Sequence, residues 1–186
     1  MARLVYSVLA SLDGYVADRD GRFDWAAPSE EVHGFVNDLE RSIGTYLYGR
    51  RMYEVMSVWQ DLPGIEHGSP AVQEYAGIWR SADKVVYSTS LPSVSTPRTR
   101  LERSFDPQEV AAMVFGLDRD VSISGPTLAT SALRASVVDD IHLFFVPVVV
   151  GGGTSCWPMD ARLAFDLADE HRFADGTVHL HYRARR

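Results

Sequence analysis

The sequence lacks residues that several classes of protein require. It contains a single cysteine, Cys156, which excludes an intrachain disulfide and a zinc site built from thiolates. No apolar run reaches the roughly 18 residues needed to cross a membrane. The net charge of −7 is the opposite of the basic excess that non-specific binding to nucleic acid requires. We therefore expect a cytoplasmic protein that binds neither nucleic acid nor membranes.

Several sequence signatures of functional sites are also missing. The dinucleotide fingerprint G-x-G-x-x-G, the nucleophile elbow G-x-S-x-G and the deaminase pair H-x-E and P-C-x-x-C do not occur. His179 and His181 share one face of a predicted strand, but the other histidines are scattered. We therefore expect no metal site.

The residues that are present predict one α/β domain. The length of 186 residues suits a single domain over 1–186. Strand and helix patterns alternate up to about residue 150, which is typical of a mostly parallel central sheet flanked by helices. A C-terminal antiparallel hairpin is predicted by two strands joined at Asp175-Gly176. The predicted strands are 3–10, 45–48, 84–87, 121–124, 138–150 and two within 163–185, and the predicted helices are 30–43, 50–58, 70–80, 107–116 and one from Pro126.

Three details of this assignment depend on single residues. Gly44 is expected to end the first helix, because glycine commonly follows a helix. Pro147 is expected to end or interrupt its strand, because it cannot donate a ladder hydrogen bond. Residues 88–100 show no apolar period and are expected to form a polar loop.

Two glycine corners are candidates for binding phosphate. In "TYLYGRRMYE" a strand ends at Gly49 and a helix follows with Arg50 and Arg51, and in "SISGPTL" a strand ends at Gly125 before a helix. Glycine lets the backbone turn sharply, and the first turn of a helix presents free N–H groups that bind anions. Taken alone, the Gly49 pattern is more typical of an ordinary corner, but two such corners suggest a ligand with two phosphates.

A hydroxyl-rich segment is the third candidate. Ser88, Thr89 and Ser90 follow a predicted strand and precede three arginines, Arg98, Arg100 and Arg103. Hydroxyl groups beside arginines suit a terminal phosphate such as the 2′-phosphate of NADP, although a solvated loop is an equally good interpretation. The sequence "GGGT" at 151–154 is more typical of a bulge or turn than of a phosphate loop.

The segments occur in an order that resembles the dihydrofolate-reductase-like fold. The nearest likeness is to free-standing relatives of the reductase domain of bifunctional riboflavin-biosynthesis deaminase/reductases. It is carried by "VYSVLASLDGYVA", "YLYGRRMYE", "KVVYSTSL", "ISGPTLATSAL" and "VDDIHLFFVPVVVGGG", which cover most of residues 3–153. The resemblance implies an NADPH-dependent reductase that forms a homodimer. It also implies hydride transfer to a C=O or C=N bond of a small substrate, such as a ribosylated pyrimidine or a pterin-like compound.

The resemblance also implies positions for the site residues. Asp13 is the candidate catalytic residue, as a substrate contact or proton relay, although a plain turn residue is an equal alternative. Asp24 and Trp25 would lie at the substrate end, or else fold onto the core as loop residues. The cofactor-binding residues implied are Leu9 and Ala10 near the nicotinamide, Gly49, Arg50, Arg51 and Met52 at one phosphate, Ser88, Thr89, Ser90 and Arg98 at the ribose phosphate, and Gly125, Pro126, Thr127 and Leu128 at the pyrophosphate.

Three positions differ from the pattern of the family. Met52 stands where the phosphate corner usually has threonine, and Ser124 replaces the first glycine of a Gly-Gly pair. Counting back from Gly49 without gaps places His33 at the substrate position where folate reductases have a carboxylate, which argues against dihydrofolate reductase activity. A small gap would place Glu30 or Glu31 there instead. Because of Met52 and Ser124, a nucleotide-binding or regulatory module without turnover is the alternative function.

Overall fold

The computed structural model describes residues 1–185. The predicted single domain extends one residue further, to Arg186, which lies outside the described residues. The strands are β1 Leu4–Ser11, β2 Tyr15–Ala17, β3 Ile43–Gly49, β4 Asp83–Tyr87, β5 Thr99–Glu102, β6 Asp120–Ser124, β7 Asp140–Val146, β8 Thr154–Ser155, β9 Phe165–Arg172 and β10 Val178–Ala184. The helices are α1 Glu30–Glu40, α2 Arg50–Met56, α3 Pro70–Ser81, α4 Pro107–Phe115 and α5 Pro126–Arg134. Within this described part of the chain, every helix is too short or too polar to span a membrane.

The main sheet has the order β5-β4-β3-β6-β1-β7-β10-β9. The six strands from β5 to β7 run parallel, and β10 runs antiparallel to both β7 and β9. This arrangement confirms the predicted mostly parallel sheet with a C-terminal antiparallel hairpin. Because parallel strands share one direction, their carboxyl ends lie along the same edge, where open α/β sheets usually bind ligands.

Helices cover both faces of the parallel strands. On one face α4 and α5 pack on β1, β3 and β6, around buried residues such as Leu47, Ile123 and Leu133. On the other face α1, α2 and α3 cover the sheet, around residues such as Tyr48 and Trp79. Burial on both faces explains why these strands read as nearly continuous apolar runs.

Helix starts follow the capping residues that the sequence contains. The Ser29 hydroxyl accepts the Val32 N–H at the start of α1, and Ser69 does the same at the start of α3. Asp106 caps α4 in front of Pro107. A side-chain oxygen at this position satisfies one of the N–H groups that the first turn leaves free.

The predicted end of the first helix is wrong. α1 ends at Glu40, and both Ile43 and Gly44 belong to β3. Ile43 extended the apolar period because it is buried in the strand and not because the helix continues. A Cβ on Gly44 would lie 2.8 Å from Arg119 Cβ, and Arg119 donates hydrogen bonds to the carbonyls of Arg41 and Ile43. Gly44 is therefore required by the side chain of Arg119, which directly precedes β6.

Other differences concern short or polar elements. β5 begins within the predicted polar loop and extends two residues beyond it. The sequence did not indicate this edge strand because it alternates half-buried and exposed residues and carries few apolar ones. The helix expected over 50–58 ends at Met56 and continues as a 3₁₀ turn, Ser57–Gln60. Pro147 follows the last residue of β7, which confirms the predicted strand end.

Candidate active site

The two glycine corners lie side by side. β3 and β6 are neighbouring strands, and their last paired residues are Tyr48 and Ser124. Gly49 then caps α2, and Gly125 caps α5. A Cβ on Gly125 would lie 3.3 Å from Met52 Cβ. The first turns of α2 and α5 therefore meet at the carboxyl edge of the sheet.

Gly125 has a backbone conformation that favours glycine. Its φ is +93°, in the region that L-residues rarely adopt, whereas φ at Gly49 is an ordinary −76°. Pro126 occupies the first helical position and has no N–H. The next two amides, of Thr127 and Leu128, are the ones that the first turn of α5 leaves without a helical partner. They are positioned to bind an anion between the two corners.

A cationic group lies on the outer side of these corners. Arg50 Nη1 donates to Ser90 Oγ at 3.2 Å, and Arg50 Nε donates to Glu54 at 2.7 Å. Ser88 Oγ accepts the backbone N–H of Ser90 and of Leu91, so this hydroxyl shapes the loop. The structure therefore brings the predicted segment at 88–90 next to the first corner. Two further predicted residues on this side, Arg51 and Thr89, are exposed.

Arg98 does not belong to this group, contrary to the sequence prediction. It precedes β5, whose first residue Thr99 pairs with Lys84 near the start of β4. Its guanidinium instead forms an ion pair with Asp83 at 2.9 Å. The Ser88 segment follows the other end of β4, roughly 16 Å away at the ordinary rise of a strand. The sequence does not distinguish β5 from the polar loop before it, so the Ser88 segment and Arg98 fall in one predicted loop.

Of the three arginines that follow the Ser88 segment in the sequence, Arg103 forms hydrogen bonds with it. Its Nη1 donates to the carbonyl oxygens of Ser88 at 3.1 Å and Leu91 at 2.6 Å. Arg103 follows β5, and parallel pairing brings the ends of β4 and β5 together. Recognising β5 in the sequence would have selected this residue over Arg98.

Asp13 holds a glycine loop at the end of β1. Its carboxylate accepts the backbone N–H of Val150 at 3.2 Å and of Gly151 at 2.8 Å. Arg19 Nη2 donates to the Gly151 carbonyl at 2.9 Å. A hydrogen bond from the Ser11 hydroxyl, and then the two backbone N–H groups, hold the pKa of Asp13 below its usual range. Asp13 is therefore ionised at neutral pH and tethers the loop, while its predicted catalytic role stays a prediction.

The "GGGT" segment forms a close backbone contact, as the sequence interpretation of a bulge or turn suggested. β2 pairs with β8 next to it. At Gly153 φ is +135°, and a Cβ there would lie 2.0 Å from the carbonyl oxygen of Ala17. Only glycine lets the backbone at position 153 come this close to Ala17. The loop after β7 and the segment after β1 are therefore packed directly against each other.

The predicted nicotinamide-side residues lie on β1, and the predicted substrate-side residues lie in a 3₁₀ turn after β2 and on α1. Ala10 is fully buried, and Leu9 packs with the apolar side of α1. Asp24 and Trp25 lie in a 3₁₀ turn, Asp24–Ala26, where Trp25 Nε1 donates to a backbone carbonyl and Asp24 is exposed. His33 is half-buried on α1, and burial lowers its pKa, so its ring is neutral at neutral pH.

His33 contacts two aromatic residues that sequence reasoning did not identify. Its ring centroid lies 6.1 Å from that of Trp59 and 5.6 Å from that of Tyr75. Trp59 follows α2 and Tyr75 lies on α3. An aromatic wall beside α1 suits a flat heterocycle. Trp59 lies ten residues after Gly49, and no pattern in the sequence marks either aromatic residue as part of a site.

Solved structures share this fold. A putative riboflavin biosynthesis protein from Shewanella sp. PV-4 matches with a TM-score of 0.75 and 21% identity over 99% of both chains. A deaminase/5-amino-6-(5-phosphoribosylamino)uracil reductase from Thermotoga maritima matches with a TM-score of 0.66 and 15% identity, over 99% of this chain and 57% of that one. Dihydrofolate reductase from Enterococcus faecalis, complexed with NADP(H), matches with a TM-score of 0.65 and 13% identity over 99% and 97% of the two chains.

These likenesses show that the fold is dihydrofolate-reductase-like, as the order of the sequence segments implied. A family model adds evidence at the level of sequence. The model of the RibD C-terminal domain matches residues 2–178, which is nearly the whole chain. This protein therefore belongs to the RibD C-terminal domain family.

Proposed function

We propose that this protein is an NADPH-dependent reductase that transfers a hydride to a C=O or C=N bond of a small substrate. The observation that carries the proposal is the contact between the two corners, where Gly125 at φ +93° lies against Met52. Membership of the RibD C-terminal domain family supports a reductase of the riboflavin-biosynthesis type. The similar dihydrofolate reductase, complexed with NADP(H), supports the choice of cofactor.

The residues present fit a dinucleotide. A side chain at position 125 would fill the space between the corners. The free N–H groups of Thr127 and Leu128 suit an anion such as a pyrophosphate. Arg50 and Ser90 form a polar pair suited to a further phosphate on the ribose. Leu9 and Ala10 offer an apolar end for a nicotinamide ring. When bound, the reduced nicotinamide would supply the hydride.

The chain itself would orient the reactants and exclude water. Asp13 holds the glycine loop at Gly151 and is ionised at neutral pH, so it is a poor source of the proton that balances a hydride. His33 is neutral, so its ring can donate one N–H hydrogen bond and accept another but carries no extra proton to transfer. We propose that His33 and Trp59 orient the substrate ring and that a water molecule delivers the proton.

A ribosylated pyrimidine, or a pterin-like compound, is the proposed substrate class. The similar Thermotoga maritima protein is a uracil reductase of that kind by its name. The aromatic groups Trp25, Trp59 and Tyr75 suit stacking on such a ring. By the same resemblance we propose that the protein is a homodimer, which light scattering on the purified protein at several concentrations would test.

A nucleotide-binding module without turnover is the second candidate. The observation that favours it is Met52, a side chain without a hydrogen-bond donor at a corner where the family usually has a hydroxyl. Two assays separate the candidates. Thermal unfolding with NADPH and NADH tests binding, because a ligand at about 100 times its dissociation constant adds about 2.7 kcal/mol of stability. Steady NADPH oxidation with a panel of carbonyl, imine and ribosylated pyrimidine compounds tests turnover, and tight binding without turnover would favour the module.

A further inference from the structure

Three buried oxygen atoms lack hydrogen-bond partners on the side of the sheet that α1 and α3 cover. Glu40 lies at the end of α1, Asn37 one turn before it, and Tyr46 on β3, and all three are buried. Among residues 1–185, Asn37 Oδ1 and Glu40 Oε2 have no partner, and Tyr46 Oη, which lies beside the Glu40 carboxyl group, has none with good hydrogen-bond geometry. Buried polar atoms are almost always paired. An ionised carboxylate and an amide oxygen are both acceptors, so they cannot pair with each other.

The neighbouring groups do not supply a positive charge to this place. Arg41 binds Glu74 at the exposed rim, and Asn37 Nδ2 donates to Ala71 O and to Glu74. The titratable groups that interact electrostatically with Glu40 are Tyr46 and Tyr48 on β3 and Tyr75 on α3, and none of these hydroxyls carries a positive charge. An ionised Glu40 would therefore be a buried charge without a close counter-ion, which is unfavourable.

Burial has a direct effect on the carboxyl group. It raises the pKa of Glu40 from 4.5 to about 7, and the Tyr46 hydroxyl opposes part of this shift. A neutral carboxyl group carries one O–H donor, whereas the ionised form only accepts. Residues three apart on a helix are neighbours on its surface. A protonated Glu40 would thus have an acceptor, Asn37 Oδ1, within reach.

We propose that Glu40 is held as a neutral carboxylic acid. Its O–H donates a hydrogen bond to Asn37 Oδ1, and its other oxygen accepts one from the Tyr46 hydroxyl. Loss of this proton loosens the packing of α1 on α3 and β3. The same two helices carry His33 and Tyr75, whose rings are 5.6 Å apart. Glu40 would therefore link the placement of these two residues to pH. The link to the substrate end rests on the proposed function, while the protonation of Glu40 does not.

The test compares the unfolding free energy of the wild type and Glu40→Gln across pH. Glutamine keeps a donor and an acceptor but cannot ionise. Because the folded pKa is raised, the stabilising contribution is complete below pH 4.5 and is lost as the pH rises through about 7. The quantity to compare is the folding equilibrium constant of the wild type divided by that of Glu40→Gln. We expect this quotient to fall on the order of a hundredfold between about pH 4.5 and pH 8. A difference between the two proteins that does not change with pH would overturn the proposal.

Two further measurements guard against a variant that fails to fold. Tyr46→Phe removes the hydroxyl that opposes the shift, so it should move the Glu40 transition to higher pH. In the wild type, carbon-13 NMR of labelled glutamate carboxyls should show one group titrating near pH 7. If every glutamate titrates near its ordinary value, Glu40 is ionised and solvated by a buried water, and the proposal fails.

The effect on the site has its own readout. Above pH 7, the protection of α1 amides against hydrogen exchange, relative to the intrinsic exchange rate at each pH, should fall in the wild type and not in Glu40→Gln. If the wild type oxidises NADPH with a panel compound, its turnover should fall above pH 7 more steeply than that of the variant. Absence of turnover in both proteins would count against the proposed function, and the stability comparison would still decide the role of Glu40.

Discussion

Met52 and Gly125 are in contact, although they are 73 positions apart in the sequence; a Cβ on Gly125 would lie 3.3 Å from Met52 Cβ. Each residue belongs to a different strand-to-helix corner, and the contact places the first turn of α5 next to that of α2. A ligand bound at one corner would therefore touch the other.

Gly125→Ala should weaken NADPH binding at least tenfold. The substitution forces a side chain into a conformation with φ near +93° and into the space beside Met52. Backbone strain of this kind costs about 1–3 kcal/mol, so the variant should also be less stable. Calorimetric titration and urea unfolding measure the two effects.

Gly77→Ala is the matched control for this change. Gly77 lies on α3, and a Cβ there would meet no atom within 4 Å. Alanine in place of an exposed helical glycine stabilises by about 0.5–1 kcal/mol, and NADPH affinity should not change. Equal affinities of the two alanine variants for NADPH would show that Gly125 is not part of the cofactor site.

Met52→Thr should strengthen NADPH binding. It restores the hydroxyl that the resemblance places at this corner, and a single hydrogen bond to a charged group contributes about 1.5–3 kcal/mol. Met52→Val has the shape of threonine without the hydroxyl and serves as the control. The dissociation constants of both variants should be measured by calorimetry. Identical constants would mean that position 52 does not contact a phosphate.

Arg50→Ala should reduce the preference for NADPH over NADH. Arg50 is bonded to Ser90 at the outer side of the corners, where the extra phosphate of NADPH is expected. Arg98→Ala should leave the preference unchanged, because Arg98 pairs with Asp83 at the opposite end of β4. The ratio of dissociation constants for the two cofactors is the quantity to measure. Loss of the preference in Arg98→Ala alone would reverse this assignment.

The protein should lose stability in acid through a pair of histidines. His142 Nδ1 and His179 Nε2 are 2.9 Å apart. Burial, followed by the nearby His181, lowers the pKa of His142 to about 3 and that of His179 to about 4. A lowered folded pKa means that stability is complete above the ordinary value of 6.5 and is lost as the pH falls toward 4.

His179→Phe should make the acid loss smaller. Phe35 and Phe144 already contact this ring, so an aromatic replacement suits the space. We expect each of the two histidines to contribute a loss of roughly 2–3 kcal/mol between pH 6.5 and 4 in the wild type, and the variant to lose only the contribution of His142. Urea unfolding at closely spaced pH values measures it. A wild type that is equally stable at both pH values would contradict the assignment.

The main elements could be predicted because each carries a local signal. Burial on both faces makes β1, β7 and the second half of β3 nearly continuous apolar runs, and Ser29, Ser69 and Asp106 mark helix starts. β5 could not be recognised in the same way, because an edge strand with exposed, charged residues resembles a loop. That one omission also produced the error at Arg98.

The parts of the site that depend on single residues were predictable, and the contacts between them were not. Gly49 and Gly125 stand out because a strand pattern stops there. Nothing local shows that Gly125 would touch Met52, or that Trp59 and Tyr75 would flank His33. Asp13 is implied by the resemblance to the family, but its bonds to Val150 and Gly151 span 137 and 138 positions. Contacts at such separations follow from the strand order and not from spacing in the sequence.

Calorimetric titration of NADPH into the wild-type protein decides whether the two corners hold a cofactor. We predict saturable binding of one NADPH per chain, weaker binding of NADH, and marked weakening in folded Gly125→Ala. No binding of either nucleotide, or the same affinity in wild type and Gly125→Ala, would contradict the assignment of this edge of the sheet as a cofactor site.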